Sequence, residues 1–415
     1  MKGNDTDKNG TVWTKLSSGM DCYFFPMPNY EEKMAAIVVK AGSNFLACSD
    51  GRAEKPLQFP EGTAHFIEHR LFRQRWGDAF ATFSKKGASA NAFTDPQKTV
   101  YYFSCQENFF ENLHLLLSFV QNPYFLEEET EQEKSIIESE ITMYDDDPDW
   151  RVYYQLLQAM YHRHPIRIPI AGDHKAMKKI DYKVLQQAYD CMYTPDRFSL
   201  ICGGDIPVRK IIEAAGMIKK GKTGKKPLFE REPEEIKESY VEGKLGISRP
   251  IFQIGFKMTP VGEGVLRQRI LMSILLDILT GESSAFFQEA YFKKYLDEPL
   301  GQAYFSGEGY AFCVFSGTGE RGKEVSELLL QHLERLCNEG VQENDFRRIR
   351  KKQIGRFIRR SQSVSGMVLG QMEWALEDAS AGEAFHLIKS VKKIEVDRLL
   401  RNALVKEKMV LSVMR

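Results

Sequence analysis

Hydrophobic positions along the chain follow two spacings, and the change from one to the other occurs in each half. Short apolar or alternating runs predict strands, and longer stretches with apolar residues every three or four positions predict helices. The strands predicted in the first half are Asp21–Phe25, Ala35–Lys40, Ser89–Thr94, Thr99–Cys105 and Phe198–Gly203. One helix predicted there contains His65–His69. The others are Gly77–Lys85, Glu107–Gln121, Glu127–Tyr144, Trp150–Tyr161, Tyr182–Met192 and Val208–Ile218.

The second half follows the same order, although no repeat of the letters themselves is obvious. Its predicted elements are a strand at Phe252–Phe256, helices at Val265–Thr280 and Ser284–Tyr295, strands within Ala303–Phe315, helices from Glu324 onward and a last strand at Met409–Met414. The shared order predicts an α+β fold made of two related domains. The charged, proline-containing run Lys219–Ser239 predicts a linker, so the expected division is 1–218, 219–240 and 241–415.

Composition then narrows the class of protein. The 415 residues, of which 43% are hydrophobic, are enough for two cores. Because 57 basic and 57 acidic side chains balance, we expect neither nucleic acid nor a membrane as a partner. The seven cysteines are scattered without a C-x-x-C spacing, and residues 1–20 lack an apolar targeting core. We therefore expect reduced thiols, a soluble chain without a leader, and a cytoplasmic location.

The stretch Gly62–Phe72 carries the first candidate chemistry. His65 and His69 stand four residues apart with Glu68 between them, so a helix would place all three on one side. Neutral imidazoles are standard zinc ligands, and a carboxylate beside them can accept a proton from water bound to the metal. The spacing H-x-x-E-H therefore predicts a zinc-hydrolase site, against the plainer interpretation of an amphipathic helix with its polar face in water.

A third ligand is expected, because catalytic zinc usually has three protein ligands and one open position. The predicted helix Glu127–Tyr144 carries Glu133 and Glu140 seven residues apart on one face. Spacing alone leaves both open as the ligand. It also leaves open that these acids form the solvated face of a glutamate-rich helix.

These residues resemble the signature of the pitrilysin, or insulinase, family of zinc metallopeptidases, in which H-x-x-E-H is followed by a distant glutamate. The resemblance extends to Gly87–Thr94, which is similar to the family's Asn-Ala-x-Thr edge strand, and to Cys191–Pro195 and Leu200–Gly204. The run Met143–Arg151 is similar to zinc-bearing members of the bacterial processing-peptidase branch.

The resemblance implies a fold and residue roles. It implies two related α/β-roll domains of the processing-peptidase type, each a mostly antiparallel sheet packed with helices. One zinc ion per chain would be bound by His65, His69 and Glu140. Glu68 would be the general base of a zinc endopeptidase that cleaves peptides or unfolded segments, with Glu133 as a second catalytic acid behind the ligands. Substrate would add as a β-strand along Ser89–Thr94, where the contacts would be Asn91, Ala92 and Phe93.

The resemblance also bears on partners, because the family's second domain usually carries an arginine and a tyrosine that hold the substrate backbone. Tyr304 matches the tyrosine, whereas Tyr291 stands where the arginine is expected. A phenol cannot replace the several hydrogen bonds of a guanidinium. We therefore expect a dimer, either a homodimer or a heterodimer with a homologous peptidase subunit. The alternative function is a non-catalytic or partner-dependent subunit, and Tyr291 could also be a core aromatic.

Two further patterns have plainer interpretations. Gly216–Thr223 matches the phosphate-binding pattern G-x-x-x-x-G-K-[ST], but that loop needs a strand before it and a helix after it. Here the preceding pattern is helical and Pro227 follows, so we interpret the match as coincidence. The basic run Arg347–Arg360 is interpreted as a solvated helix face rather than a nucleic-acid site.

Overall fold

The computed structural model describes residues 5–6, 11–49, 55–262 and 264–415. Its strands are β1 (Asp5–Thr6), β2 (Val12–Lys15), β3 (Asp21–Pro26), β4 (Lys33–Val39), β5 (Ala47–Ser49), β6 (Leu57–Gln58), β7 (Arg73–Gln74), β8 (Gly77–Asp78), β9 (Ala88–Thr94), β10 (Thr99–Cys105), β11 (Phe198–Gly204), β12 (Lys226–Pro227), β13 (Tyr240–Gly243), β14 (Ile251–Met258), β15 (Gly301–Gly307), β16 (Tyr310–Thr318) and β17 (Met409–Met414).

The α-helices of the described residues are α1 (Thr63–Leu71), α2 (Ala79–Lys85), α3 (Phe109–Gln121), α4 (Glu127–Asp146), α5 (Pro148–Met160), α6 (His174–Met177), α7 (Tyr182–Met192), α8 (Val208–Ala215), α9 (Val265–Thr280), α10 (Ala285–Phe292), α11 (Gly322–Glu339), α12 (Glu343–Arg360), α13 (Val364–Trp374), α14 (Ala381–Ser390) and α15 (Lys393–Ala403). Short 3-10 helices lie at Pro165–Arg167, Pro195–Arg197, Ala375–Glu377 and Lys406–Lys408.

Two mostly antiparallel sheets organise these elements. The first has the strand order β1-β2-β3-β11-β4-β10-β9, and the second has the order β13-β17-β14-β16-β15. In each sheet one pair is parallel, β3 with β11 and β13 with β17. Apart from β1 and β2, both sheets therefore place their strands in the order first, last, second, fourth, third. The predicted α+β class with two related domains is confirmed.

The chain forms two compact units, each assembled from separated segments. Unit 1 comprises residues 1–141, 169–228 and 357–384, and unit 2 comprises 142–168, 229–356 and 385–415. The sequence predicted boundaries at 218 and 241, which would make each domain one continuous stretch. In the structure, residues 142–168 belong to unit 2 and residues 357–384 belong to unit 1, and we call these two stretches the exchanged segments. Helical periodicity shows that a helix buries one face, but it does not show which sheet that face will meet.

Each exchanged segment contains a helix that packs over a strand glycine, α13 in 357–384 and α5 in 142–168. In unit 1, a Cβ atom added to Gly203 of β11 would come within 2.9 Å of the Val368 side chain on α13. In unit 2, a Cβ atom added to Gly255 of β14 would come within 2.6 Å of Met160 on α5. Both distances are shorter than a normal carbon contact, so a side chain at either position would collide with the helix. The close approach of each helix to its sheet therefore depends on glycine in the strand.

The predicted linker is divided between the units and is tied down at both ends. Its first part includes β12, which pairs with β5 in unit 1. Its second part carries Glu232, whose carboxylate accepts hydrogen bonds from the backbone N–H groups of residues 162–164 in unit 2 at 2.8–2.9 Å. The phosphate-loop pattern lies after helix α8, and the described residues between α8 and α9 contain strands β12 to β14 and no α-helix.

One stretch of the described chain, Val265–Phe292, is long and apolar enough to cross a membrane, with a mean hydropathy of 1.5. It contains α9, which packs against β15 and α15 in unit 2. Most residues of α9 from Ile270 to Thr280 are buried on all sides. A helix in the core of a soluble protein has the same composition, so packing within unit 2 accounts for the apolar character of this stretch.

Candidate metal centre

The H-x-x-E-H residues lie on helix α1, which is packed into the core of unit 1. The helix begins after Gly62, whose φ of 84° is in the left-handed region that glycine adopts without strain. Phe66, Ile67 and Leu71 are fully buried, so the helix is anchored in the core. His65 and Glu68 are also buried, with 9% and 8% of their surface exposed. The predicted helix is present, and two residues of its functional face, His65 and Glu68, are buried, whereas the third, His69, is partly exposed.

Glu140 of α4 completes a group with the two histidines. Oε2 of Glu140 lies 3.8 Å from Nε2 of His65 and 3.5 Å from Nε2 of His69. One ligand atom from each residue lies within 4.8 Å of the others. Two atoms that each bind one zinc ion at about 2.1 Å in a tetrahedral arrangement are about 3.4 Å apart. The donor types and their spacing therefore fit one zinc ion.

His65 fits the role of a ligand for a second reason. Burial, and then the neighbouring His69, lower the pKa of His65 to about 3, so its ring is neutral at physiological pH. Its Nδ1 atom is buried without a hydrogen-bond partner among the described residues. The other ring nitrogen, Nε2, faces Glu140, and neutral imidazole is the form that binds zinc.

His69 is oriented by Glu133, which lies one heptad before Glu140 on α4. Nδ1 of His69 is 3.1 Å from Oε1 of Glu133, so Nδ1–H donates to the carboxylate and Nε2 is left toward Glu140. This hydrogen bond is the main cause that lowers the pKa of Glu133. Burial alone would lower the pKa of His69, but Glu133, Glu140 and Glu68 together raise it.

Glu68 stands beside the ligand group and is held by Thr94. The hydroxyl of Thr94 donates to Oε2 of Glu68 at 2.9 Å. Burial is the main cause that raises the pKa of Glu68, and the charge of His69 and the Thr94 hydrogen bond oppose it. Glu68 is outside the metal-binding group formed by His65, His69 and Glu140. Its carboxylate is therefore available to accept a proton.

Two contacts in this region were not predicted from the sequence. Arg70 is 2% exposed, is paired with Glu129 of α4, and has Nη1 3.8 Å from Oε2 of Glu133. It links α1 to α4, and the one signal in the sequence is a basic residue directly after His69. The Thr94 hydrogen bond was missed as well, although Thr94 is part of the Asn-Ala-x-Thr pattern.

The predicted substrate strand β9 lies at a free edge. It pairs with β10 and ends the sheet, so its other side has no neighbouring strand within the described residues. Asn91, Ala92 and Phe93 lie in this strand, which ends at Thr94 beside Glu68. The N–H of Ala92 donates to its neighbour's side chain, Oδ1 of Asn91, at 2.8 Å. One outward-facing backbone donor is thus already engaged by Asn91.

Tyr304 lies on β15, one of the two edge strands of the five-stranded sheet in unit 2. It lines a cavity of about 330 Å³ together with residues that include Arg269 and Arg356. Tyr291 does not share that cavity. It is 56% exposed on α10, which corrects the alternative that it is a core aromatic.

The fold and the donor set define a class, that of the H-x-x-E-H zinc-peptidase fold with two related domains. The chain belongs to the insulinase family, peptidase family M16. Residues 34–174 match the family model described as Insulinase (Peptidase family M16), and residues 179–353 match the Peptidase M16 inactive domain. The predicted family membership is confirmed.

Similar proteins agree with this assignment. The chain is 31% identical over 411 residues to the "Uncharacterized zinc protease YmfH" of Bacillus subtilis, covering 95% of this chain and 94% of that protein. It is 29% identical, with a TM-score of 0.91 and 97% of both chains covered, to the solved structure described as "Crystal structure of putative M16-like peptidase from Alicyclobacillus acidocaldarius". A protease from Helicobacter pylori has the same fold, with a TM-score of 0.83 at 16% identity over 98% of this chain and 99% of that one.

Proposed function

We propose that the chain is a zinc-dependent endopeptidase that hydrolyses peptides or unfolded segments. The observation that carries this proposal is the approach of His65, His69 and Glu140 to one another beside the buried carboxylate of Glu68. The naming of relatives such as YmfH as zinc proteases supports it.

We further propose a reducing location such as the cytoplasm, because all seven cysteines are free thiols and six of them are buried.

Each residue of the site has a separate role in this proposal. His65, His69 and Glu140 would hold the metal, and Glu133 would keep the His69 ring in the tautomer that binds through Nε2. Zinc, when bound, acts as a Lewis acid that polarises a peptide carbonyl and lowers the pKa of water to about 7. Glu68 accepts the proton of the attacking water and passes it to the leaving amine. Thr94 holds Glu68 in position for this transfer.

The substrate is proposed to bind as an added strand on β9. Main-chain hydrogen bonds to an edge strand tolerate many side-chain sequences, which suits the cleavage of unfolded segments. Because β9 ends at Thr94, a peptide lying along it would pass beside Glu68. Asn91 would have to release the N–H of Ala92 before a peptide carbonyl could accept from it.

The proposal is tested by separating metal binding from hydrolysis. In Glu68→Gln the amide cannot accept a proton, so zinc content should stay at one per chain while cleavage of a peptide library, followed by mass spectrometry, falls by about three orders of magnitude or more. His65→Ala should lose both zinc and cleavage. Substantial turnover in zinc-loaded Glu68→Gln would remove the role of Glu68 as the base. Equal zinc in His65→Ala and the unchanged chain would refute the ligand assignment.

The second candidate function is a partner-dependent subunit of a heterodimeric processing peptidase. Tyr291 supports it, because an exposed phenol stands where the resemblance implies an arginine that holds substrate. A homologous chain would then supply that guanidinium, and the chain alone would bind substrate poorly. Analytical ultracentrifugation with a parallel peptidase assay separates the two functions. Full activity of a monomer or homodimer, unchanged by a homologous partner chain, would exclude the heterodimer.

A further inference from the structure

An acidic cavity of about 250 Å³ lies in unit 2, where β14 and β15 begin and β16 ends. Three carboxylate residues line it, Asp149 in the first turn of α5 and Asp297 and Glu298 before β15. Among the residues that the structure describes, no lysine, arginine or histidine lines it. Its apolar walls are formed by Val152, Phe252, Leu296 and Pro299. The cavity therefore combines negative charge with apolar walls.

A buried amide in the same cavity has an unsatisfied acceptor. Gln253 lines the cavity and is 8% exposed, and its Oε1 atom has no hydrogen-bond partner among the described residues. Its neighbour across the sheet, Ser412, is already engaged, since its hydroxyl donates to the carbonyl of Val152 at 2.9 Å. A buried acceptor without a donor is unfavourable, so a ligand that brings an N–H group would relieve it.

Within the described part of the chain, the carboxylates of this cavity do not form a group that could hold a bare metal ion. Among the described residues, the group of acidic, histidine or cysteine side chains that could hold a metal is the one formed by His65, His69 and Glu140. Asp297 already accepts a hydrogen bond from Arg249 at 2.8 Å, which leaves Asp149 and Glu298 for a ligand. The backbone N–H groups of Asp149 and Trp150 at the start of α5 donate to the carboxylate of Asp147, so they are not available to bind an anion in the cavity.

We propose that this cavity binds an alkylguanidinium or alkylammonium group, as carried by an arginine or lysine side chain or by a small free diamine. The methylene chain would lie against the apolar walls, the cationic head would pair with Asp149 and Glu298, and one N–H would reach the amide of Gln253. The site uses no residue of the metal centre and goes beyond the proposed peptidase function. It stands whether or not that function does.

The binding test uses the full chain with Glu68→Gln, so that no peptide is hydrolysed during the titration. Isothermal titration calorimetry would compare agmatine, the peptide Ac-Gly-Arg-Gly-NH2 and its citrulline analogue, which has nearly the same shape without the charge. Agmatine, the arginine peptide or both should bind, and the citrulline peptide should not. Binding of agmatine alone assigns the site to free cations, and tighter binding of the arginine peptide assigns it to polypeptides. Equal binding of the arginine and citrulline peptides would overturn the proposal, as would no binding of either cation.

Variants then locate the binding. Asp149→Asn with Glu298→Gln should weaken it at least about fivefold, since both charges are removed without change of shape. Gly301→Leu should abolish it, because a Cβ at Gly301 would lie 3.6 Å from that of Ser316 and would direct the side chain into the cavity. The exposed Glu327→Gln on α11 is the matched control. Thermal unfolding checks that each variant is folded, and equal weakening by Glu327→Gln would refute the location.

Discussion

The Nδ1 atom of His69 lies 3.1 Å from Oε1 of Glu133, and this contact decides which ring nitrogen is free to bind a metal. Glu133→Ala should therefore weaken zinc binding by about 10- to 100-fold, measured by competition with a chelator. Glu133→Gln keeps an oxygen acceptor and should recover part of the loss. Glu128→Gln, in the exposed first turn of the same helix, serves as the control. Unchanged zinc affinity in Glu133→Ala would show that His69 is oriented by other contacts.

Thr94 provides a test of how Glu68 is positioned. Thr94→Val removes the hydroxyl that donates to Oε2 of Glu68 and keeps the branched shape of the side chain. If Glu68 is the base, kcat should fall about tenfold with zinc content unchanged, because the carboxylate loses the contact that orients it. Thr94→Ser keeps the hydroxyl and should restore most of the activity. A fall in both variants alike would point to packing around Thr94 instead.

The free edge of β9 gives a prediction about substrate binding. Ala92→Pro removes an N–H that points away from β10 and leaves the sheet's own ladder intact, a position where an edge strand tolerates proline. KM for a peptide substrate should rise severalfold while zinc content stays the same and kcat changes little. Ala92→Ser keeps the N–H and should behave like the unchanged chain. An unaltered KM in Ala92→Pro would place the substrate on another surface.

Glu232 gives a prediction about stability and pH. Burial would raise its pKa, but Lys257 at 2.7 Å and the three backbone N–H donors lower it from 4.5 to about 2. Because the pKa is lower in the folded chain, the ionised group stabilises the fold fully above about pH 5, and this contribution disappears as the pH falls toward 2. Glu232→Gln should therefore destabilise unit 2 by about 3 kcal/mol at pH 7 and by less at pH 4.

Urea unfolding of the full chain at both pH values would measure this difference. Glu234→Gln is the matched control, since the side chain of Glu234 is 78% exposed and should contribute little at either pH. A gap between Glu232→Gln and the unchanged chain that stays constant from pH 7 to pH 4 would contradict the assignment of the pKa.

Most elements followed from the sequence because their signals are local. The observed bounds of β10, α7, α9 and β17 are those predicted, since each is a long apolar run or a strongly periodic stretch. Helices α8 and α10 end earlier than predicted at their C-terminal ends, because the hydrophobic periodicity continues there but the helical hydrogen bonding does not. Local patterns fix which elements form, and hydrogen bonding fixes where they end.

The sequence by itself determined the chemistry that α1 could offer, because four residues along a helix always return a side chain to the same face. Spacing left Glu133 and Glu140 open as the third ligand, since both face the same side of α4, and the family resemblance implied Glu140. The tertiary structure sets Glu140 against Nε2 of both histidines and Glu133 against Nδ1 of His69, which supports the same choice. It also decided which sheet each exchanged helix covers, because burial depends on side chains that are distant in sequence and cannot be read from either segment alone.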